Sequence, residues 1–194
     1  MNKRSGIESR QRIIDAAMEV FSMKGYISAN IREIAKAADI SIGGVYIYFN
    51  NKEELYKNLI SEKRSRLSSI IETTLEQSRS AAEALSAFIN LNFDYALKHK
   101  EFILLHIREH GFAFGLEEKK QFFRQQIRHL EKIIKKGILA GEFRKCNSGN
   151  MARLIMGALR GIILSMALDN DVTVSPKTLT DLLLKGLIKD EDRC

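Results

Sequence analysis

The sequence predicts an all-α fold of about nine helices, on three observations. Apolar residues recur at helical spacing in run after run, as at Ile13, Ala17, Val20 and Phe21 or at Leu85, Phe88, Ile89 and Phe93. No segment alternates apolar and polar residues between turn signals, as a half-buried strand would. The joints between the runs carry helix-boundary chemistry, with Gly25 and Gly141 as stops and Ser80-Ala81-Ala82-Glu83 and Ser175-Pro176 as starts. With 45% hydrophobic residues and a single proline in 194, the chain can bury a core and lacks the composition of a disordered one.

The elements follow in order. A first helix covers roughly Ile7 to Lys24, and Gly25 ends it. Asn30-Ile31-Arg32-Glu33 has the form of a capping box and opens a short second helix, Ile31 to Ala38, with Ile31, Ile34, Ala35 and Ala38 on one face. Asp39 follows where the chain must reverse, and aspartate tolerates a left-handed backbone. Ile40 can plug the gap behind the turn. Ser41 is a good N-cap for a third helix, Ile42 to Phe49, with Val45 and Phe49 facing inward. Two short helices joined by a tight turn form a helix-turn-helix, the unit that presents its second helix to a DNA major groove.

A second capping box, Asn51-Lys52-Glu53-Glu54, opens a long helix to about Gln77. Further helices are expected from Ser80, from about Glu101 to His110, from Leu116 to Leu139, from Ser148 to Leu168, and from Lys177 to Lys189. The organisation is a head at residues 1–50, a connector at 51–77 and a helical body at 78–194.

Charge and composition narrow the function. The formal net charge is +7. Residues 1–66 hold 12 Lys and Arg against 8 Asp and Glu, and the remaining 128 hold 19 against 16. The head is therefore the more basic part per residue, which suits phosphate contact as well as it suits a plain solvated surface. Cys146 and Cys194 lie far apart with no zinc-ligand spacing, so neither a structural disulfide nor a metal site is expected. The N-terminus has no apolar signal-like run, and the apolar stretch Leu154 to Leu168 is short for a membrane span and contains Arg160. A cytoplasmic protein without a membrane partner is expected.

The first 60 or so residues resemble the TetR-type (tetracycline-repressor-like) transcription regulators. The resemblance rests on Ile13-Ile14-Asp15-Ala16-Ala17 with Phe21, Lys24-Gly25-Tyr26, Ile34-Ala35, Ala38, Ser41, Gly43, Tyr46, Tyr48, Phe49 and Lys52-Glu53-Glu54-Leu55. It implies an all-α homodimer whose third helix enters the major groove of each half of an inverted-repeat operator. It also implies a body that binds a small-molecule effector and dimerises through its last two helices. By position, the DNA-facing residues would be Asn30, Arg32, Ser41, Ile42, Gly44, Tyr46, Ile47, Tyr48 and Lys52. Where the family commonly has polar side chains, this chain has Ile42, Gly44 and Ile47, which removes side-chain hydrogen bonding to bases there.

Residue chemistry gives these positions separate tasks. Arg32, Tyr48 and Lys52 can donate to phosphate oxygens, which sets register without reading sequence. Ile42 and Ile47 can touch thymine methyls, and Tyr46 can stack or donate. Gly43 and Gly44 allow close backbone approach. Each of these residues also has a structural reading, with Tyr46 and Tyr48 packed on the head core and Arg32 paired with a surface acid.

In the body, Phe88, Tyr95, Phe114 and Phe122 could line an apolar pocket, with His106, His110 and Arg160 as its polar groups. The alternative for each aromatic is plain core. His106-Ile107-Arg108-Glu109-His110 also matches the H-x-x-E-H spacing of a metalloprotease class, but no third ligand or cleft accompanies it, so no catalytic residue, metal or cofactor is expected. Gly157 and Gly161, one turn apart, with Leu179 and Leu183 on the last helix, suggest a helix–helix dimer contact. A dimer also suits specific reading, because one short helix reaches too few bases. The expected function is a ligand-responsive DNA-binding regulator, read as a repressor released by a small apolar or amphipathic effector. Its alternative is a helical small-molecule-binding protein without a DNA role.

Overall fold

The computed structural model describes residues 3–100, 103–104, 116–169 and 174–187. Among the described residues there are eight helices and no strand. They are α1 (Lys3–Ser28), α2 (Ile31–Ala37), α3 (Ile42–Tyr46), α4 (Lys52–Gln77), α5 (Ala81–Lys98), α6 (Leu116–Leu139), α7 (Ser148–Leu168) and α8 (Pro176–Leu187). The helix expected from Glu101 to His110 falls almost wholly outside the described residues.

The helix boundaries follow the local chemistry. Gly25 leaves helical geometry at φ 78°, as a glycine stop should, but the chain resumes one more turn to Ser28. Asn30 caps α2 by accepting Glu33 N–H at 3.0 Å. Ser80 caps α5, Asn147 caps α7 and Ser175 caps α8 in the same way. The last cap places Pro176 at the first helical position, where its missing N–H costs nothing. The Glu142 carboxylate adds a second cap to α5 by accepting from Ala81 N and Ala82 N at 2.8 and 3.2 Å. Gly141, at φ 75°, lets the chain turn after α6.

The contacts divide the chain into two compact units, and the division falls inside α4 between Ser65 and Arg66. The first unit is the head. Its core gathers Ile13, Ile14, Ala17 and Phe21 of α1, Ile34 and Ala35 of α2, Val45 and Phe49, and Leu55 and Leu59 of α4. α1 packs on α2, and α2 on α3. Arg10 of α1 donates to Asn58 and Glu62 of α4 at 3.0 and 3.2 Å and lies over the Phe49 ring.

The second unit is the body, with α5 packed on α7 and α8. Its core includes Leu67 and Ile71 of α4, Phe88 and Phe93 of α5, Leu130 and Ile134 of α6, Ile155 and Leu159 of α7, and Leu179 and Leu187 of α8. α7 is longer than the apolar stretch read from the sequence. At 21 residues it is long and apolar enough to cross a membrane by length and composition alone. One of its faces is nevertheless part of the body core, through Ala152, Ile155, Met156 and Leu159.

Candidate nucleic-acid interface

The helix-turn-helix is built from the turn outward. Asp39 takes the left-handed backbone at φ 52°, which reverses the chain within a few residues. Ile40 is partly buried against the head core behind that turn. Ser41 Oγ accepts Gly44 N–H at 3.0 Å and starts α3. The helix is shorter than expected, ending at Tyr46 rather than Phe49. Two glycines and the β-branched residues Ile42 and Val45 give it little intrinsic helicity. Backbone bonds from Ile47 to Gly43 and from Phe49 to Val45 carry the turn on, so Phe49 still comes inward. Val45 and Phe49 are both buried, each side chain worth about 1.5–3 kcal/mol. Tertiary anchoring, rather than helix propensity, therefore holds this segment.

The anchoring decides what faces out. Ile42, Tyr46 and Ile47 are 40, 49 and 69% exposed, so the core reading of Tyr46 does not hold. Tyr48 is partly buried and packs against the head core. Gly43 is exposed with open space where a Cβ would stand. Gly44 differs from the expectation of free backbone approach. A Cβ there would lie 2.6 Å from Ile40 Cγ2 and 3.1 Å from Ser41 Oγ, so glycine is required by the turn's own packing. Arg32 is exposed and makes no ion pair among the described residues. Asn30 and Ser41 are exposed too, with their side-chain oxygens spent on caps.

Lys52 has partners that the sequence does not reveal. Its ammonium donates to the carbonyls of Tyr26, Ile27 and Ala29 at 2.7, 3.1 and 2.8 Å and sits 4.6 Å from the Tyr26 ring centroid. An ammonium has three donors, and all three are used. The residue ties the start of α4 to the end of α1. Sequence position alone does not reveal this, since the acceptors lie 23 to 26 residues upstream. Glu33 likewise has a partner from outside its cap. Lys24 Nζ reaches its Oε1 at 2.6 Å, and that hydrogen bond holds the Glu33 carboxyl below the usual range.

The body residues fall into three groups. His106, His110 and Phe114 lie outside the described residues. Phe88 is fully buried in the core, while Tyr95 and Phe122 are partly buried against it. Arg160, expected among the pocket's polar groups, is exposed on α7, and its guanidinium lies 3.8 Å from the Phe123 ring centroid. The apolar run around it hid which face of the helix it occupies. On the expected dimer face, Gly157 and Gly161 are exposed with open space above them and Leu183 is partly buried. Leu179 belongs to the chain's own core, and Leu154 and Leu182, at 68 and 69% exposed, stand outside instead.

Sequence reasoning missed a polar group on the inner face of α6. Gln126 is fully buried, and neither Nε2 nor Oε1 has a hydrogen-bond partner among the described residues. Three residues on, His129 is buried with Nε2 also unpartnered by hydrogen-bond geometry, 3.5 Å from Glu72 Oε1 on α4. Burial holds the His129 imidazole below its ordinary range, against the pull of Glu72. A second strand of this network runs from Ser68 to Gln125 and from Gln125 to Glu72, each at 3.4 Å. A buried amide with no partner costs roughly 1–3 kcal/mol. The signal was legible in principle: Phe122, Gln126, Leu130 and Ile133 share a helical face, and one of the four is polar.

Comparison with known proteins accords with this geometry. Residues 13–59 match the family model described as bacterial regulatory proteins, tetR family. The chain is 26% identical over 182 residues to the fatty acid metabolism regulator protein of Bacillus subtilis, covering 91% of this chain and 94% of that one. Its fold is similar to the fatty acid degradation regulator FadR from Bacillus halodurans, with a TM-score of 0.77 at 28% identity over 91% of this chain and 98% of that one. It is also similar to FadR from Bacillus subtilis, solved in complex with stearoyl-CoA, with a TM-score of 0.71 at 25% identity over 92 and 97% of the two chains. With the motif, the anchored third helix and the full-length likeness in agreement, residues 13–59 are a tetR-family DNA-binding segment, and the chain along its length is similar to transcription regulators of that kind.

Proposed function

We propose that the protein is a cytoplasmic repressor that binds an inverted-repeat operator as a homodimer and leaves it when a small amphipathic molecule occupies the body. The observation that carries this reading is α3, pinned by Val45 and Phe49 with Ile42, Tyr46 and Ile47 turned outward. Apolar side chains on that face favour contact with thymine methyls over hydrogen-bonded base readout. Arg32, Asn30 and Ser41 border the same motif, and Arg32 is the side chain suited to a phosphate. Residues 1–50 would thus read DNA, 51–77 would connect, and 78–194 would bind effector and dimerise. α4 has residues in both compact units, which supports it as the element that transmits occupancy.

The outer face of α7 and α8, with Leu154, Gly157, Gly161 and Leu182, is the surface proposed to meet a second copy. A partner chain there would cover the apolar length of α7 without a membrane. The effector class proposed is a long-chain acyl thioester, supported by the stearoyl-CoA bound by the Bacillus subtilis relative. The protein acts by binding rather than catalysis, in keeping with relatives that are regulators.

The test is selection of bound duplexes from a random pool, followed by addition of stearoyl-CoA to the selected complex. The proposal expects an inverted repeat with half-sites about one helical turn apart, or a multiple of it, and release on addition. Recovery of no enriched sequence would leave the helical small-molecule-binding protein as the better reading.

A further inference from the structure

We infer that the amide of Gln126 is the polar reader of the effector pocket, pairing with an uncharged carbonyl at the end of an apolar chain. The inference rests on the acyl-thioester reading above and adds the residue and the chemical group that are read.

The buried amide offers one donor group and one acceptor, both free among the described residues, on the inner face of α6. Its surroundings are apolar, since the same face carries Phe122 and Leu130 of the body core. A group so placed is poorly satisfied by the protein itself, and a ligand that enters the core supplies what it lacks. The nearby polar groups select the ligand's charge. His129 and Ser68 are buried, and the acid facing His129 is Glu72. Arg128 and Lys132, the cations that act on His129, are both exposed on α6. Among the described residues no lysine or arginine is buried as a whole, and Arg64 of α4 is half-buried with its Nη1 enclosed. A carboxylate would find a neutral amide and a neighbouring acid, whereas a thioester carbonyl accepts from Nε2 at no cost in charge burial.

The experiment uses the full chain, calorimetry and two probes: stearoyl-CoA, and its S-alkyl thioether analogue, which lacks the carbonyl. Wild type is expected to bind the thioester about tenfold more tightly than the thioether. Gln126→Leu is expected to bind the two equally, with the loss falling on the thioester. An undiminished preference for the thioester in Gln126→Leu would overturn the role of Gln126 while leaving the acyl reading intact. Absence of binding of either probe to wild type would instead overturn the acyl reading and the thioester assignment with it. A ligand-free measurement tests the amide separately. Removing an unpaired buried amide should raise the Tm of Gln126→Leu by roughly 2–6 °C. A fall in Tm would mean that the amide is already satisfied by the protein, and the inference would be wrong.

Discussion

Lys52 and Glu33 show how a residue placed correctly by sequence can act differently from its expected role. Lys52 stands at the start of α4, where phosphates dock, yet its three donors close on the carbonyls of Tyr26, Ile27 and Ala29. Lys52→Ala should therefore lower stability by about 2–3 kcal/mol, read from urea unfolding. Were Lys52 a phosphate contact, the same change would leave stability alone and reduce the salt slope of DNA binding by about one. The glycine pair separates in the same manner. Gly44→Ala sets a Cβ against Ile40 and should cost about 1–3 kcal/mol. Gly43→Ala meets open space and should stabilise the head by up to about 1 kcal/mol, seen as opposite shifts in urea midpoint. His129 gives a pH dependence. Its folded pKa lies below the ordinary 6.5, so the unfolded chain takes up the proton first. Stability should be unaffected by this group above that value and should fall as pH drops below it, until the folded imidazole also titrates. Urea midpoints at pH 7.5 and 5.5 should differ less in His129→Gln than in wild type.

At the scale of the element, α3 is held by what lies beneath it. The inward pair Val45 and Phe49 and the cap Ser41 were legible because period and capping chemistry are local. The early end of the helix at Tyr46 was less so, since the glycine pair weakens it while tertiary packing keeps the turn. α7 gave the opposite difficulty. A run that is apolar on most sides does not say which face is inside, so Arg160 was expected among the pocket's polar groups and instead stands exposed over Phe123. In α8 the same ambiguity exchanged Leu179 for Leu182 as the outward leucine. The dimer proposal can be tested on these outward residues. Leu154→Glu with Leu182→Glu should leave the helical signal unchanged, because neither is core, and should reduce the solution mass from twice 22.1 kDa to 22.1 kDa by light scattering.

For the whole molecule, the chain reads as two compact units that share α4. The head was legible nearly residue by residue, because a helix-turn-helix is specified by short-range patterns: a cap, a left-handed turn residue and two inward side chains. The body was legible as helices in order, but its interior was not. Gln126 and His129 are buried by residues distant in sequence, and only the assembled core reveals that their polar atoms lack partners. Both units are proposed to serve one act, the reading of a specific duplex by the outward face of α3. The most direct test is the anisotropy of a labelled duplex carrying the selected inverted repeat, beside a scrambled duplex, at about 150 mM salt. Nanomolar affinity is expected for the repeat, at least ~10³-fold tighter than for the scramble and weakening steeply as salt rises. Equal affinity for both duplexes, at micromolar or weaker, would contradict it.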